Sequence, residues 1–211
     1  MKKLIEAVCI GNNGRSPPAE AVAKRYLKVI GKDNEYDAIS SGTRVSCTET
    51  GGRAIEYMRP YIELALVRGD VFNRQEKSDL EQALAANDPQ AVGVHFSKLV
   101  QAFIAEERNY RAEACTKYGL EGVKEARDQT VVNPNVVAIM TMDKKALEGV
   151  QQIYKDATHQ PIIAVVSNLA GSQYDEIQNS FGRGKQAYFN SFEQILQEVP
   201  KAIDNILART N

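Results

Sequence analysis

The stretch Val8-Cys9-Ile10-Gly11-Asn12-Asn13-Gly14-Arg15-Ser16-Pro17-Pro18 decides how this chain is read. Upstream of the loop, Leu4 to Ile10 is short and mostly apolar, the pattern of a buried strand. Gly11-Asn12-Asn13-Gly14 predicts a tight loop, because Gly and Asn accept positive φ at little cost. Ser16 is a candidate helix cap, and Pro17-Pro18 suit a first helical turn. Ala19, Val22, Ala23, Tyr26, Leu27 and Ile30 then recur along one helical face, and Gly31 ends it. The local order is strand, glycine-rich loop, helix.

Working outward, a second strand is predicted over Tyr36 to Ser41, closed by Gly42, and a helix from about Thr50 to Val67. Leu80 and Leu84 mark a short helix before the Asp88-Pro89 break, and Phe96, Leu99, Val100, Phe103 and Ile104 form a helical stripe. The charged, Ala-rich stretch from Glu106 to Asp128 reads as helical or partly exposed. Val136 to Met142 is a continuous apolar run, the mark of a buried parallel strand, and Asp143 is placed to cap the helix carrying Leu147, Val150 and Ile153. Pro161 to Val166 is a fourth strand. Asn168 to Lys185 reads as loop, and Phe192, Ile195, Leu196 and Val199 open a last helix, kinked or restarted at Pro200. Strands alternating with helices predict an α/β fold: a four-stranded parallel sheet with helices on both faces. Ligands of such folds bind at the carboxyl ends of the strands, where the loop after the first strand lies.

The 211 residues suit one domain. With 26 Lys plus Arg against 27 Asp plus Glu, bulk charge argues against nucleic acid or a membrane surface as partner. No apolar run approaches the roughly 20 residues that span a bilayer. Three cysteines, an odd and low number, argue against a disulfide scaffold and for a cytoplasmic chain with reduced thiols. The first thirty residues hold six cations against two carboxylates, a local excess that suits an anion site.

Five residues separate Cys9 from Arg15, and that spacing suits a phosphate ester. A loop running into a helix N-terminus gathers backbone N–H groups into one concavity, and the helix end adds partial positive charge. This makes Ile10, Gly11, Asn12, Asn13, Gly14 and Arg15 the candidate phosphate-binding residues. Arg15 supplies a planar fork for two oxygens, the same field favours a thiolate on Cys9, and a thiolate facing phosphorus is a nucleophile. Ser16 is placed to hydrogen-bond that thiolate. The competing reading of Cys9 is a small apolar core residue.

Val8-Cys9-Ile10-Gly11-Asn12 followed by Arg15-Ser16-Pro17-Pro18-Ala19-Glu20-Ala21 resembles the low-molecular-weight protein tyrosine phosphatase family. Ser40-Ser41-Gly42-Thr43 and Met140-Thr141-Met142-Asp143 resemble its later strand ends. The resemblance covers about the first 45 residues well and residues 135 to 209 loosely. It implies a metal-free, cofactor-free phosphocysteine mechanism acting on phosphorylated substrates, protein phosphotyrosine among them. In that mechanism Cys9 is the nucleophile, Arg15 the clamp, Asn12 the holder of the loop's shape and Ser16 the activator. The family's late-loop Asp-Pro general acid has no counterpart, and Asp175 is the only Asp between the last strand and Phe192. Asp175 is therefore the candidate acid, with a solvated loop residue as its equal alternative. Gly14 stands where many relatives carry a second loop cysteine, so a disulfide within the loop is unavailable. The segment from about 70 to 130 is longer than the family's connection and reads as a helical insertion, which could cover the site, meet a partner or make an oligomer contact.

Tyr174, Tyr188 and Phe189 are candidates for an aromatic rim, with packing the stronger reading for each. Cys47 and Cys115 read as passive thiols, and neither His95 nor His159 has metal-ligand spacing. Two other functions stay open. An arsenate reductase would use the same loop with resolving cysteines, and a non-catalytic phospho-ligand binder would dispense with the acid.

Overall fold

The computed structural model describes residues 1–44, 55–123 and 127–210. Four strands, β1 (Lys3–Cys9), β2 (Tyr36–Gly42), β3 (Val136–Thr141) and β4 (Ile162–Val165), form one sheet in the order β2-β1-β3-β4. Every pairing is parallel. All the strands therefore end on one edge, and β1 lies in the middle with its loop opening there. The four strands match the expected runs to within one or two residues at each end.

Alternation along β1 sends side chains to two cores. Ile5, Ala7 and Cys9 face the larger one, with helix α1 (Ser16–Val29) and the C-terminal helix. Leu4 and Val8 face the other, with Val150 and Tyr154 of a helix that follows β3. Helices thus cover both faces of the sheet. The C-terminal helix runs from Gly184 to Thr210 as one element, with Pro200 inside it, so no restart occurs there.

Between β2 and β3 stand three further helices: α2 (Ile55–Arg68), α3 (Arg74–Ala85) and α4 (Pro89–Tyr118). α3 starts on a capping box made by Asn73 and Glu76, and Asp88 caps α4 by accepting from the backbone N–H groups of Gln90 and Ala91. The predicted stripe faces inward as expected: Phe96, Leu99, Val100, Phe103 and Ile104 form a separate core with Ile55, Met58, Ile62 and Leu80. α2 therefore packs with α3 and α4. The charged tract after Glu106 continues α4 to Tyr118, and Gly119, at φ 59°, closes it. Numbering onward, α5 is Lys144–Tyr154, α6 is Val166–Leu169 and α7 is Gly184–Thr210. The later half of α4 leaves the helical core, and Ala114 lies in the core shared with α1 and α7. One helix therefore links the two regions. Among the described residues, no helix is long and apolar enough to cross a membrane.

Candidate active site

From Cys9 to Arg15 the loop turns its carbonyls outward, where other groups take them. Cys9 O accepts from Thr43 N (3.0 Å), Ile10 O from Arg44 N (2.9 Å) and Arg15 O from Ala19 N (3.2 Å). Gly11 O accepts from Arg127 Nε (2.8 Å), Asn13 O from Arg111 Nη1 (2.6 Å) and Gly14 O from the Tyr188 hydroxyl (3.0 Å). In a trans peptide the next N–H points the opposite way, so the N–H groups turn toward the concavity. Among the described residues, none from Ile10 to Arg15 donates its backbone N–H to a protein group. Such a nest at a helix N-terminus is an oxyanion site.

Asn12 sits at φ 47°, a left-handed position that Asn tolerates better than most residues. Its side chain locks the turn, donating to Ser16 Oγ (3.0 Å) and accepting from Asp128 N (2.9 Å). Cys9 Sγ lies 3.1 Å from Ser16 Oγ, which is also 3.1 Å from the Ser41 carbonyl. Ser16 opens α1 without capping it: Arg15 is the cap residue and makes no side-chain cap bond, as a guanidinium has no acceptor, while the Ser16 hydroxyl meets Cys9, Asn12 and Ser41.

Arg15 is 6% exposed. Its Nη2 bonds Asp143 Oδ2 at 2.6 Å and its Nη1 donates to Ile177 O at 3.1 Å, so the guanidinium is aimed, with further N–H donors to spare. Burial opposes its charge, but Asp143, Cys9 and Glu107 outweigh that and hold it firmly protonated. Asp143 divides its two oxygens: Oδ1 caps α5 through Ala146 N at 2.7 Å, as expected, while Oδ2 holds Arg15. That second role lies 128 positions from its partner, and nothing local announces it.

Above the loop lies a cavity of about 120 Å³. Cys9, Ile10, Gly11, Asn13, Gly14 and Arg15 form its floor, and Asp143, Lys145, Arg127 and Asn179 contribute polar edges. Its apolar wall comes from the helical unit: Tyr57 and Tyr61 on α2, Phe96, Val100 and Ile104 on α4, with Phe181. Tyr61 packs near Phe96 and Phe181, with ring centroids 6.1 and 5.9 Å apart. The aromatic wall is made by residues other than the rim candidates, for which packing is the stronger reading. Tyr188 and Phe189 are buried and Tyr174 is half exposed, and none of the three lines the cavity. Helical periodicity marked Phe96 as core but gave no hint of which residues also face a cavity.

Asp175 is not among the lining residues. Its side chain is 84% exposed and faces Lys144 Nζ at 3.4 Å. The late-loop residues that do line the cavity are Asn179 and Phe181, and neither is a carboxylic acid. Glu107, a buried carboxyl group, also lines it, and the sequence reading had not singled it out. Cys115 is partly buried on α4 and outside the lining, while Cys47 lies outside the described residues. His159 Nε2 is 2.5 Å from Val136 O, and His95 packs edge-on to Phe72. Among the described residues no cluster of His, Cys, Asp and Glu has the form of a metal site.

No family model and no curated relative matches the sequence. Solved structures match over nearly the whole chain. A protein tyrosine phosphatase from Entamoeba histolytica, with Hepes in its active site, is 16% identical with a TM-score of 0.60, covering 99% of this chain and 98% of its own. A low-molecular-weight phosphotyrosine phosphatase from Vibrio cholerae is 15% identical at TM-score 0.60, covering 99% of both chains. The low-molecular-weight enzyme from T. tengcongensis is 14% identical at TM-score 0.57, covering 96% and 99%. The chain has the fold of the low-molecular-weight protein tyrosine phosphatases.

Proposed function

We propose that the chain is a cysteine-dependent phosphomonoester hydrolase acting through a phosphocysteine intermediate, built as one α/β domain with a helical insertion. The observation that carries this reading is the nest of inward N–H groups with Cys9 at its base and Arg15 aimed by Asp143 beside it. The N–H groups and Arg15 hold the three non-bridging oxygens, and their charge strengthens as the transition state spreads over those oxygens. The Cys9 thiolate attacks phosphorus, the P–O bond breaks, and the leaving oxygen takes the bonding pair as an oxyanion that is protonated by solvent. Water then attacks phosphorus, the S–P pair returns to Cys9 as thiolate, and inorganic phosphate departs with the oxygen and protons of that water. Ser16 serves both steps: its one hydroxyl proton has Cys9 Sγ and Ser41 O at equal distance, so it can swing onto the thiolate whenever that forms.

The aromatic wall favours an aryl leaving group, protein phosphotyrosine included. Asn179 at the cavity edge supplies no acid, so turnover depends on how well the alcohol leaves unaided. The same observation favours a second reading, a phospho-ligand binder with slow turnover. Hydrolysis of p-nitrophenyl phosphate separates them. Steady turnover that Cys9→Ser abolishes, with phosphate trapped on Cys9 by acid quench, supports the hydrolase. Phosphate binding without turnover supports the binder, and full activity in Cys9→Ser overturns the phosphocysteine mechanism.

A further inference from the structure

The mechanism above leaves one buried carboxyl group of the cavity unused. α4 sends Glu107 against the anion loop, where Asn13 Nδ2 donates to Oε2 at 2.8 Å and the Ser180 hydroxyl donates to Oε1 at 3.0 Å. A Cβ on Gly14 would lie only 2.4 Å from Oε2, so the carboxyl group fills the space a larger residue there would need. Glu107 is 5% exposed yet lines the cavity with Cys9 and Arg15. One turn later on the same helix, Arg111 takes the Asn13 carbonyl.

We propose that Glu107 is a positioning residue of the anion site: it ties Asn13 and Gly14 to the late loop through Ser180, and its change from neutral acid to carboxylate weakens oxyanion binding. The inference rests on the phosphate-site reading above. The groups facing Glu107 are Arg15 and Cys9 from the loop region, Arg111 from its own helix, Ser180 from the late loop and Tyr188 from α7. Burial favours the neutral acid and outweighs the opposite pull of Asn13, Ser180, Arg15 and Arg111, so the protonated form persists above the ordinary carboxylate range. Burial likewise keeps the Tyr188 hydroxyl neutral, and Arg15 keeps its charge beside Asp143. The neutral acid puts no charge beside a bound anion. The carboxylate puts a like charge in a poorly screened place and competes for Arg15.

The test is sulfate affinity from about pH 5 to about pH 9, a range over which sulfate keeps its charge. A Cys9→Ser background removes the thiol's own titration. There, affinity is expected to fall about tenfold or more as pH rises. With Glu107→Gln added, it is expected to vary less than about twofold. Ser180→Ala removes a bond that favours the carboxylate, so the fall moves to higher pH, a shift that general loss of structure would not give. A fall retained in the Gln variant, or one left in place by Ser180→Ala, overturns the inference while sulfate binding itself upholds the phosphate site. Absence of sulfate binding at every pH overturns the phosphate-site reading, and this inference with it.

Discussion

The region around β1 and the unit made by α2, α3 and α4 reach the same cavity by different routes. Around β1, the seven-residue run from Cys9 to Arg15 supplies the floor, and its shape comes from backbone bonds and a left-handed Asn. The helical unit supplies a wall, and its shape comes from side-chain packing in a core of its own. The floor tolerates little change because most of its carbonyls and the side chains of Asn12 and Arg15 are each held by a named partner. The wall tolerates exchange of one apolar side chain for another, as packed cores do. Under the proposed function, chemistry belongs to the first region and the selection of what enters to the second.

Four changes would break or sharpen this division. Phe103→Ala removes a fully buried ring that packs edge-on to Phe181, 5.4 Å between centroids, and carries the Arg68 guanidinium 5.1 Å above it. The expected loss is about 3–5 kcal/mol, read by denaturant unfolding. A smaller loss, under about 1 kcal/mol, would mean the helical core contributes little to the fold. Arg15→Lys keeps the charge but gives up the planar fork, with an expected fall of roughly a hundred- to a thousandfold in kcat for p-nitrophenyl phosphate. An equal fall from any conservative wall substitution would erase the distinction between floor and wall. Asn179→Asp restores a carboxylic acid at the cavity edge and is expected to raise turnover of phenyl phosphate by about tenfold, while p-nitrophenyl phosphate, whose alcohol leaves without a proton, changes little. Equal effects on both esters would remove leaving-group protonation from the account. Asp175→Asn, on an exposed side chain, is expected to change kcat by less than about twofold.

The two regions were not equally legible in the sequence. The loop could be read because strand, turn and helix follow within thirty contiguous residues, and each has a local signature: an apolar run, a Gly-Asn cluster, a helical face opened by prolines. The stripe from Phe96 to Ile104 was equally plain as one face of a helix. What neither pattern conveys is contact across the fold. Arg15 meets Asp143 at a separation of 128 positions, and Asn13 meets Glu107 at 94. Both are polar pairs, so hydropathy periodicity is blind to them. The same gap hides the aromatic wall: Tyr188 and Tyr61 are equally aromatic, and only packing turns one hydroxyl to the loop and the other ring to the cavity wall.

The strand order carries a consequence for how the chain finds this shape. β1 lies between β2 and β3, and Leu4 pairs with Val136, so the central pairing must close a stretch that contains the whole helical unit. Loop closure grows dearer only slowly with length, about 0.6 kcal/mol per doubling, and a segment that has already condensed counts as a shorter tether. The core of α2 to α4 draws on residues near one another in the chain, the kind of contact that forms early. Stopped-flow refolding of Phe103→Ala reads the order of events: a slower folding limb means the helices condense before the sheet closes, and an unchanged limb means closure comes first. In the first case the helical unit acts during folding as a spool that takes up slack between two strands, quite apart from what it later does for the cavity.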